Sequence, residues 1–160
     1  MSQEIRSVEP AVLHDALAAL KAEGFNVLVD LTALDLSKSE PSGPRFKVVY
    51  RLMKLDPATG QEGGRLTVEC RVGAETGIPK SAAGLWPAAD WLEREVWDMF
   101  GVPFADRPAI KRLLLYEEFQ GHPLRKDYPI AKRQPLIGPA GGEAAQNPSF
   151  NAIRPALRGE

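Results

Sequence analysis

The chain contains very few of the residues that bind metals or form disulfides. Its 160 residues include one cysteine, Cys70, and two histidines, His14 and His122. A single cysteine excludes an internal disulfide and is typical of a reducing compartment. These three residues are too few for a four-cysteine iron–sulfur site or a typical structural zinc site. The sequence also lacks a glycine-rich phosphate loop, so we expect no metal or cofactor of its own.

Long apolar segments are missing as well. No run approaches the ~20 residues that a membrane-spanning helix needs, and the N-terminus lacks the basic-then-apolar pattern of a secretory signal. We therefore expect a cytoplasmic protein without a membrane span. A formal net charge of −1 argues against a general nucleic-acid binder.

Charge is nevertheless distributed unevenly along the chain. Residues 1–106 carry 11 Lys or Arg and 16 Asp or Glu, a balance of −5. Residues 107–133 carry 7 and 3, a balance of +4. An acidic body followed by a basic arm is a weak indication of docking onto an acidic partner.

The pattern of apolar residues predicts an α+β fold. Leu13, Leu17 and Leu20 share one face of a helix predicted over Pro10–Glu23. Period-two alternation then predicts three strands, whose apolar positions are Phe25, Val27, Val29 and Leu31; Phe46, Val48, Tyr50 and Leu52; and Leu66, Val68, Cys70 and Val72. Such alternation indicates a sheet with one covered face, and we expect Cys70 to belong to the core.

A second helix is predicted from Trp91 to Phe100, with Gly101 as its stop. Asp90 is a candidate N-cap, and Glu93 would complete a capping box. Arg94 and Asp98, four residues apart, could pair on the far side of the helix. Glu93 and Glu95 point in very different directions, so they suit ion pairing better than acid–base catalysis. After this helix, Ile110 to Leu115 is predicted to form a short strand or one helical turn.

The segment Gly121–Pro129, Gly-His-Pro-Leu-Arg-Lys-Asp-Tyr-Pro, is called the strap here. Pro123 and Pro129 restrict the residues before them to extended conformations, which predicts a stiff, non-helical segment. Arg and Tyr are enriched in interface hot spots, so the strap could bind a partner. Two alternatives remain open: a loop tied to its own domain, or a grip on RNA through Arg125, Lys126 and Tyr128. A hydrolase triad is improbable, because no nucleophile accompanies the His/Asp pair.

Residues 134–160 contain four prolines, four glycines and no aromatic residue except Phe150. This composition predicts an extended or disordered tail that either stays free or lies along a neighbour. We therefore predict one domain over residues 1–133 and a tail over 134–160.

The two dense segments together resemble the C subunit of respiratory complex I, the proton-pumping NADH:quinone oxidoreductase. The resemblance is carried by Trp91-Leu92-Glu93-Arg94-Glu95-x-x-Asp98-Met99-Phe100-Gly101 and by the strap, and it covers roughly residues 10–130. It implies a peripheral-arm protein without cluster, flavin or quinone that packs chiefly against the D subunit of that complex and also meets its B and I subunits. Family members commonly have Gly-His-Pro where this chain has Asp106-Arg107-Pro108, so any contact of that histidine is in doubt.

We therefore predict a two-layer α+β domain, an antiparallel or mixed sheet covered by helices, followed by an extended C-terminal arm. The predicted function is structural support in the quinone-reducing module, on the cytoplasmic side of a bacterial inner membrane, without catalytic residues of its own. Alternatives are the equivalent subunit of a membrane-bound hydrogenase or a ferredoxin- or deazaflavin-dependent complex, and a small RNA-binding module. The residues predicted to form a partner interface or structural motif are Glu93, Arg94, Glu95, Asp98, Phe100, His122, Pro123, Leu124, Arg125, Lys126, Asp127, Tyr128 and Pro129.

Overall fold

The computed structural model describes residues 4–107, 110–131 and 134. The fold lies within a unit that spans Met1–Ile130. Its elements, in chain order, are β1 (Glu4–Val8), a 3-10 turn (Pro10–Val12), α1 (Leu13–Ala22), β2 (Val27–Asp35), β3 (Phe46–Leu55), β4 (Glu62–Val72) and α2 (Ala89–Phe100). The predicted tail falls outside the described residues except for Gln134, so the boundary near residue 133 stays a prediction.

The four strands form one mixed sheet in the order β1-β4-β3-β2. Strands β2, β3 and β4 are an antiparallel meander, whereas β1 pairs in parallel with β4. The predicted α+β class with an antiparallel or mixed sheet is therefore confirmed. Strand β1 was not predicted, because its residues are largely exposed and show no apolar alternation.

One face of the sheet forms one side of the hydrophobic core. The alternating positions of β3 and β4 are all buried as predicted: Phe46, Val48, Tyr50, Leu52, Leu66, Val68, Cys70 and Val72. Burying a side chain of this size contributes about 1.5–3 kcal/mol. Burial also raises the pKa of the Cys70 thiol to about 11, so the side chain is a protonated core residue at neutral pH.

The inward positions predicted for the strand at β2 were correct at Phe25 and Leu31, which are buried, and wrong at Val29. Leu28 and Leu31 are buried, whereas Val29 is half exposed. The cause is a break in the β2–β3 register between Leu28 and Asp30, which shifts the alternation by one residue. Beyond it, Ala33 and Asp35 continue the inward-facing row.

Both helices cover this inward face. Leu13, Leu17 and Leu20 of α1 are buried, as the apolar periodicity predicts. They join Val96 and Met99 of α2 and the side chains of the sheet in one hydrophobic cluster. The domain is thus two-layered, with helices on one side of a twisted sheet.

Helix α2 begins differently from the prediction. Its N-cap is Ala88, which provides no side-chain cap, so the proposed capping box of Asp90 and Glu93 is not formed. Its end agrees with the prediction: Gly101 adopts a left-handed conformation with φ of 71°, and its N–H donates to the Trp97 carbonyl.

Candidate functional site

The residues singled out in the sequence converge around helix α2. Three buried carboxylates organise this region, and each receives hydrogen bonds from backbone that lies outside the helices and strands. They belong to Glu93 and Asp98 of α2 and to Asp35 at the end of β2.

Glu93 fixes the segment that precedes α2. Its side chain is fully buried and accepts hydrogen bonds from the Ser81 hydroxyl at 2.8 Å and the Ala82 N–H at 2.6 Å. The Arg107 guanidinium lies 3.0 Å from the same carboxylate and also bonds to Asp90. Glu93 is therefore a paired, satisfied charge inside the domain, and Arg107 supplies its counter-charge.

Asp98 fixes the segment that follows α2. Its buried carboxylate accepts the N–H groups of Leu113, Leu114 and Leu115 at 2.8–3.0 Å and lies 2.8 Å from the Arg112 guanidinium. Burial alone would raise the pKa of Asp98, but these donors outweigh it and leave that pKa lowered.

Two predictions about this part were wrong. Asp98 does not pair with Arg94 on an exposed side, because Arg112 and three backbone amides occupy it. Ile110 to Leu115 forms neither a strand nor a helical turn; residues 113–115 bend around the carboxylate. Arg94 instead donates to the carbonyls of Lys111 and Arg112, and its guanidinium lies over the Trp91 ring.

The guanidinium of Arg112 has aromatic neighbours as well as a carboxylate. It lies 5.5 Å from the Trp97 ring centre and 5.7 Å from that of Phe119, and it donates to the Phe119 carbonyl at 2.6 Å. Phe119 also stacks on Tyr128 of the strap, at 6.1 Å between ring centres. This chain of contacts connects the buried Asp98 to the strap.

The strap caps the C-terminal end of α2. The last carbonyls of a helix lack intrahelical donors and carry its partial negative charge. Arg125 donates through Nε to the Phe100 carbonyl at 2.5 Å and through Nη2 to that of Gly101 at 3.3 Å. The two preceding carbonyls are also occupied: Met99 accepts the Leu124 N–H at 3.1 Å, and Asp98 accepts His122 Nδ1 at 2.9 Å. The strap therefore satisfies four consecutive carbonyls with a cation among its donors.

This capping also determines the state of His122. With a carbonyl as its acceptor, Nδ1 must carry the proton. Burial of the ring lowers the pKa of His122, although the hydrogen bond to the Asp98 carbonyl acts in the opposite direction. The imidazole is thus neutral at pH 7.

The far end of the strap is fixed by Asp35. Its buried carboxylate accepts the Lys126 N–H at 2.9 Å and lies 3.0 Å from Arg45, which also reaches Asp127 at 2.7 Å. Burial would raise the pKa of Asp35, but the amide of Lys126, Ser37 and Arg45 together lower it. A sheet residue and a turn residue thus hold the strap against the domain.

The strap is not an extended ribbon. It forms two successive turns, in which the Arg125 N–H donates to the His122 carbonyl and the Tyr128 N–H to the Arg125 carbonyl. Arg125 donates to the carbonyls at the helix end and not to Glu93 or Glu95. The alternative of a loop tied to its own domain describes these contacts well.

The predicted residues therefore divide into two groups. Those with internal polar or aromatic partners are Glu93, Arg94, Asp98, Phe100, His122, Leu124, Arg125, Asp127 and Tyr128. Lys126 uses its backbone N–H but exposes its side chain, and Glu95 and Pro129 are exposed. Pro123 is partly buried between His122 and Leu124.

Sequence reasoning missed Asp35, Arg45, Arg107 and Arg112. Asp35 had a detectable signal, since an acid that follows Leu31 and Ala33 at period two falls on the buried face and requires partners. The three arginines had none, because their carboxylates lie 10 to 14 residues away, a separation that neither helix nor strand periodicity brings together.

Within residues 4–107, 110–131 and 134, no three potential metal-ligating side chains form a group. In the same ranges, no helix has the length and apolar character to cross a membrane. What the arrangement does chemically is to hold irregular backbone in place through paired charges.

Comparison with known proteins gives consistent matches. The family described as respiratory-chain NADH dehydrogenase, 30 Kd subunit, matches residues 6–134. NADH-quinone oxidoreductase subunit 5 of Thermus thermophilus is 40% identical over 124 residues, which cover 77% of this chain and 60% of that protein. The NADH-quinone oxidoreductase C subunit of Citrifermentans bemidjiense is 40% identical over 116 residues, covering 71% and 67%. The chain thus spans about 60% of the length of its Thermus relatives.

Two solved structures share the fold. A trypsin-resistant fragment of Nqo5 is 34% identical with a TM-score of 0.60, covering 66% of this chain and 80% of the fragment. A chain of the membrane-bound sulfane sulfur reductase, an archaeal respiratory membrane complex, is 24% identical with a TM-score of 0.66, covering 82% and 75%. The second likeness concerns the fold alone.

Proposed function

The chain belongs to the family of respiratory-chain NADH dehydrogenase 30 Kd subunits, and we propose that it is a structural subunit of the quinone-reducing arm of such a complex. The resemblance read from the sequence is thereby confirmed at the level of the family. In the proposed role the chain helps to assemble and support the arm, while redox cofactors and quinone are held by other subunits. Its partners would be the D subunit and also the B and I subunits, on the cytoplasmic side of the membrane.

The observation that carries the proposal is the use of the ionisable residues in the family motif. Glu93, Asp98 and Arg125 all have internal partners that position backbone. A general acid or base must reach a reacting group, whereas these carboxylates already accept several hydrogen bonds inside the domain. Their geometry supports a rigid scaffold rather than a reaction centre.

The RNA-binding alternative is weakened by the same contacts. Arg107 and Arg112 pair with buried carboxylates, and Arg125 caps helix α2. Binding of nucleic-acid phosphates requires positively charged side chains that are free to contact them. These three arginines already bond to groups inside the domain.

The experiment that tests the proposal uses the tagged full chain, expressed in the cells from which the sequence comes. Mass spectrometry of the purified material should find subunits of an NADH-quinone oxidoreductase, and a native gel should place the tag in a large assembly. Purification of the chain alone, from membranes that contain the intact complex, would refute the proposal.

Substitution of Arg125 separates a structural from a chemical role. Arg125→Ala should lower the amount of intact complex, because the Phe100 and Gly101 carbonyls lose a charged donor. Quinone-reductase turnover per assembled complex should remain near that of the wild type. Full assembly with abolished turnover would instead place Arg125 in the chemistry, and the structural role would have to be abandoned.

A further inference from the structure

Little of helix α2 is available on the surface. A lone helix in this position would expose the side that carries Asp98, but residues 112–119 cover it and Asp98 is fully buried. Trp91 and Glu95, one turn apart, are the exposed residues of the helix. Trp91 retains 59% of its surface, an unusual exposure for so large an apolar side chain.

The backbone of Leu114 is hydrogen-bonded to the same helix. Its N–H donates to Asp98 at 2.8 Å, and Asp98 follows Glu95 by three residues on the adjoining side of the helix. This bond fixes the backbone of Leu114 beside the helix, and its side chain is 64% exposed. Trp91, Glu95 and Leu114 are together called the α2 patch.

The indole of the α2 patch is already held in position. The Arg94 guanidinium lies 5.0 Å from the Trp91 ring centre and is itself fixed by the carbonyls of Lys111 and Arg112, at 3.3 and 3.0 Å. An ordered tryptophan loses little conformational entropy on docking, and tryptophan is among the residues most enriched in hot spots.

The charged side chains near the patch indicate what kind of partner could cover it. Among the described residues, Arg94 hydrogen-bonds to the Lys111 and Arg112 carbonyls and to no carboxylate, since its expected partner Asp98 pairs with Arg112. Glu95 pairs with no cation in the part of the chain that the structure describes. Arg94 and Glu95 thus place a positive and a negative charge near the exposed indole, and neither has an ion-pair partner among the residues that the structure describes.

We propose that the α2 patch docks onto a neighbouring protein subunit that presents an apolar depression for Trp91 and a Lys or Arg side chain opposite Glu95. This deepens the proposed function and rests on it, since it identifies which part of the family motif faces outward. The strap and the buried acids shape the patch, whereas Trp91, Glu95 and Leu114 make the contact.

The test compares two patch variants with two matched controls in the tagged full chain. Trp91→Ala and Glu95→Lys alter the patch; Ile5→Ala removes an apolar side chain of equal exposure (60%) on β1. Glu75→Lys reverses another exposed charge away from α2. The two readouts are the thermal unfolding midpoint of each purified chain and the fraction of complex retained on the tag after a salt wash.

Each patch variant should unfold within about 5 °C of the wild type, since Trp91→Ala loses only the exposed contact with Arg94. Each should nevertheless retain about tenfold less complex, while both controls behave as the wild type. A photo-reactive residue at position 95, but not at position 75, should crosslink to one partner subunit. If every patch variant retained as much complex as the wild type, the proposed docking surface would be refuted but the proposed function would not. An unfolding midpoint lowered by more than about 5 °C in the patch variants would also overturn the docking surface, because the residues would then be structural. Failure of the wild-type chain to retain any complex would instead refute the proposed function.

Discussion

The side chains of the strap pack closely against Gly101 at the end of helix α2, so this position gives a sharp test of how the strap caps the helix. Its φ of 71° is a left-handed conformation, which costs an alanine about 1–2 kcal/mol. A Cβ atom at this position would also collide with the side chains of Arg125 and His122. Gly101→Ala therefore combines a backbone penalty with displacement of the strap.

The free-energy cost of displacing the strap can be estimated from the contacts that would be lost. Arg125 makes two hydrogen bonds to the helix end, and one involving a charged group contributes about 1.5–3 kcal/mol. Partial displacement should cost about 2–3 kcal/mol beyond the backbone penalty, for a total of roughly 3–5 kcal/mol. In a domain of this size, that corresponds to a decrease of the unfolding midpoint by ~10–20 °C.

Gly60 provides the matched control. It has nearly the same φ, 70°, but a Cβ there would meet no atom within 4 Å. Gly60→Ala should therefore cost only the backbone penalty, about 1–2 kcal/mol. Calorimetry or urea unfolding of the two variants measures the difference directly. Equal destabilisation would show that the strap does not press against Gly101, and the capping geometry would be refuted.

A double-mutant cycle strengthens the test. If Arg125 is one source of the collision, Gly101→Ala should cost less in a chain that already carries Arg125→Ala. The two destabilisations should then fall short of additivity by about 1 kcal/mol or more. Strict additivity would mean that the two residues do not interact.

Three further predictions concern individual side chains. The pKa of Asp98 is lowered in the folded chain, so its contribution to stability is present above about pH 4 and is lost as the pH falls below that value. Asp98→Asn should destabilise the domain by roughly 3–5 kcal/mol at pH 7, because it leaves the buried Arg112 without its counter-charge. It should also flatten the dependence of the unfolding free energy on pH below pH 4, whereas the exposed control Asp15→Asn should not. An unchanged pH dependence in Asp98→Asn would contradict the buried pairing. Asp106 has a left-handed φ of 64°, so Asp106→Gly should stabilise the domain by up to about 1 kcal/mol in urea titrations, and a loss of stability would show that its side chain matters more than its backbone. Cys70, buried and with a raised pKa, should react with a thiol reagent only as fast as the chain unfolds, and rapid labelling under native conditions would disprove its place in the core.

The regular part of the fold was largely predictable because its signals are local. Period-two alternation located β3 and β4 with the correct inward faces, and the leucine spacing located α1. The same reasoning failed at Leu28, where a bulge changes the period without any mark in the sequence. It also missed β1, whose partner β4 lies about 60 residues away and whose side chains are mostly exposed.

The site was less predictable, because residues that follow α2 in the sequence determine which of its side chains are buried. A helical wheel assigns Asp98 to the wet side of an amphipathic helix. That assignment is correct for the helix alone and wrong for the folded chain, because residues 112–119 return to cover that side. The motif is unusual enough to identify a family. Helical periodicity, however, does not show whether its side chains contact another protein or the chain's own backbone.

The contacts offer a physical reason why so many charges accompany so little regular structure. Backbone outside helices and strands has amides without ladder partners, and burying them unpaired costs about 1–3 kcal/mol each. One carboxylate can accept several such amides, as Asp98 does with three, provided that a nearby cation offsets its own burial. Arg112 does this for Asp98, Arg107 for Glu93, and Arg45 for Asp35. Each acid–arginine pair thus replaces a missing element of secondary structure, and removing either partner should loosen one defined segment rather than the sheet.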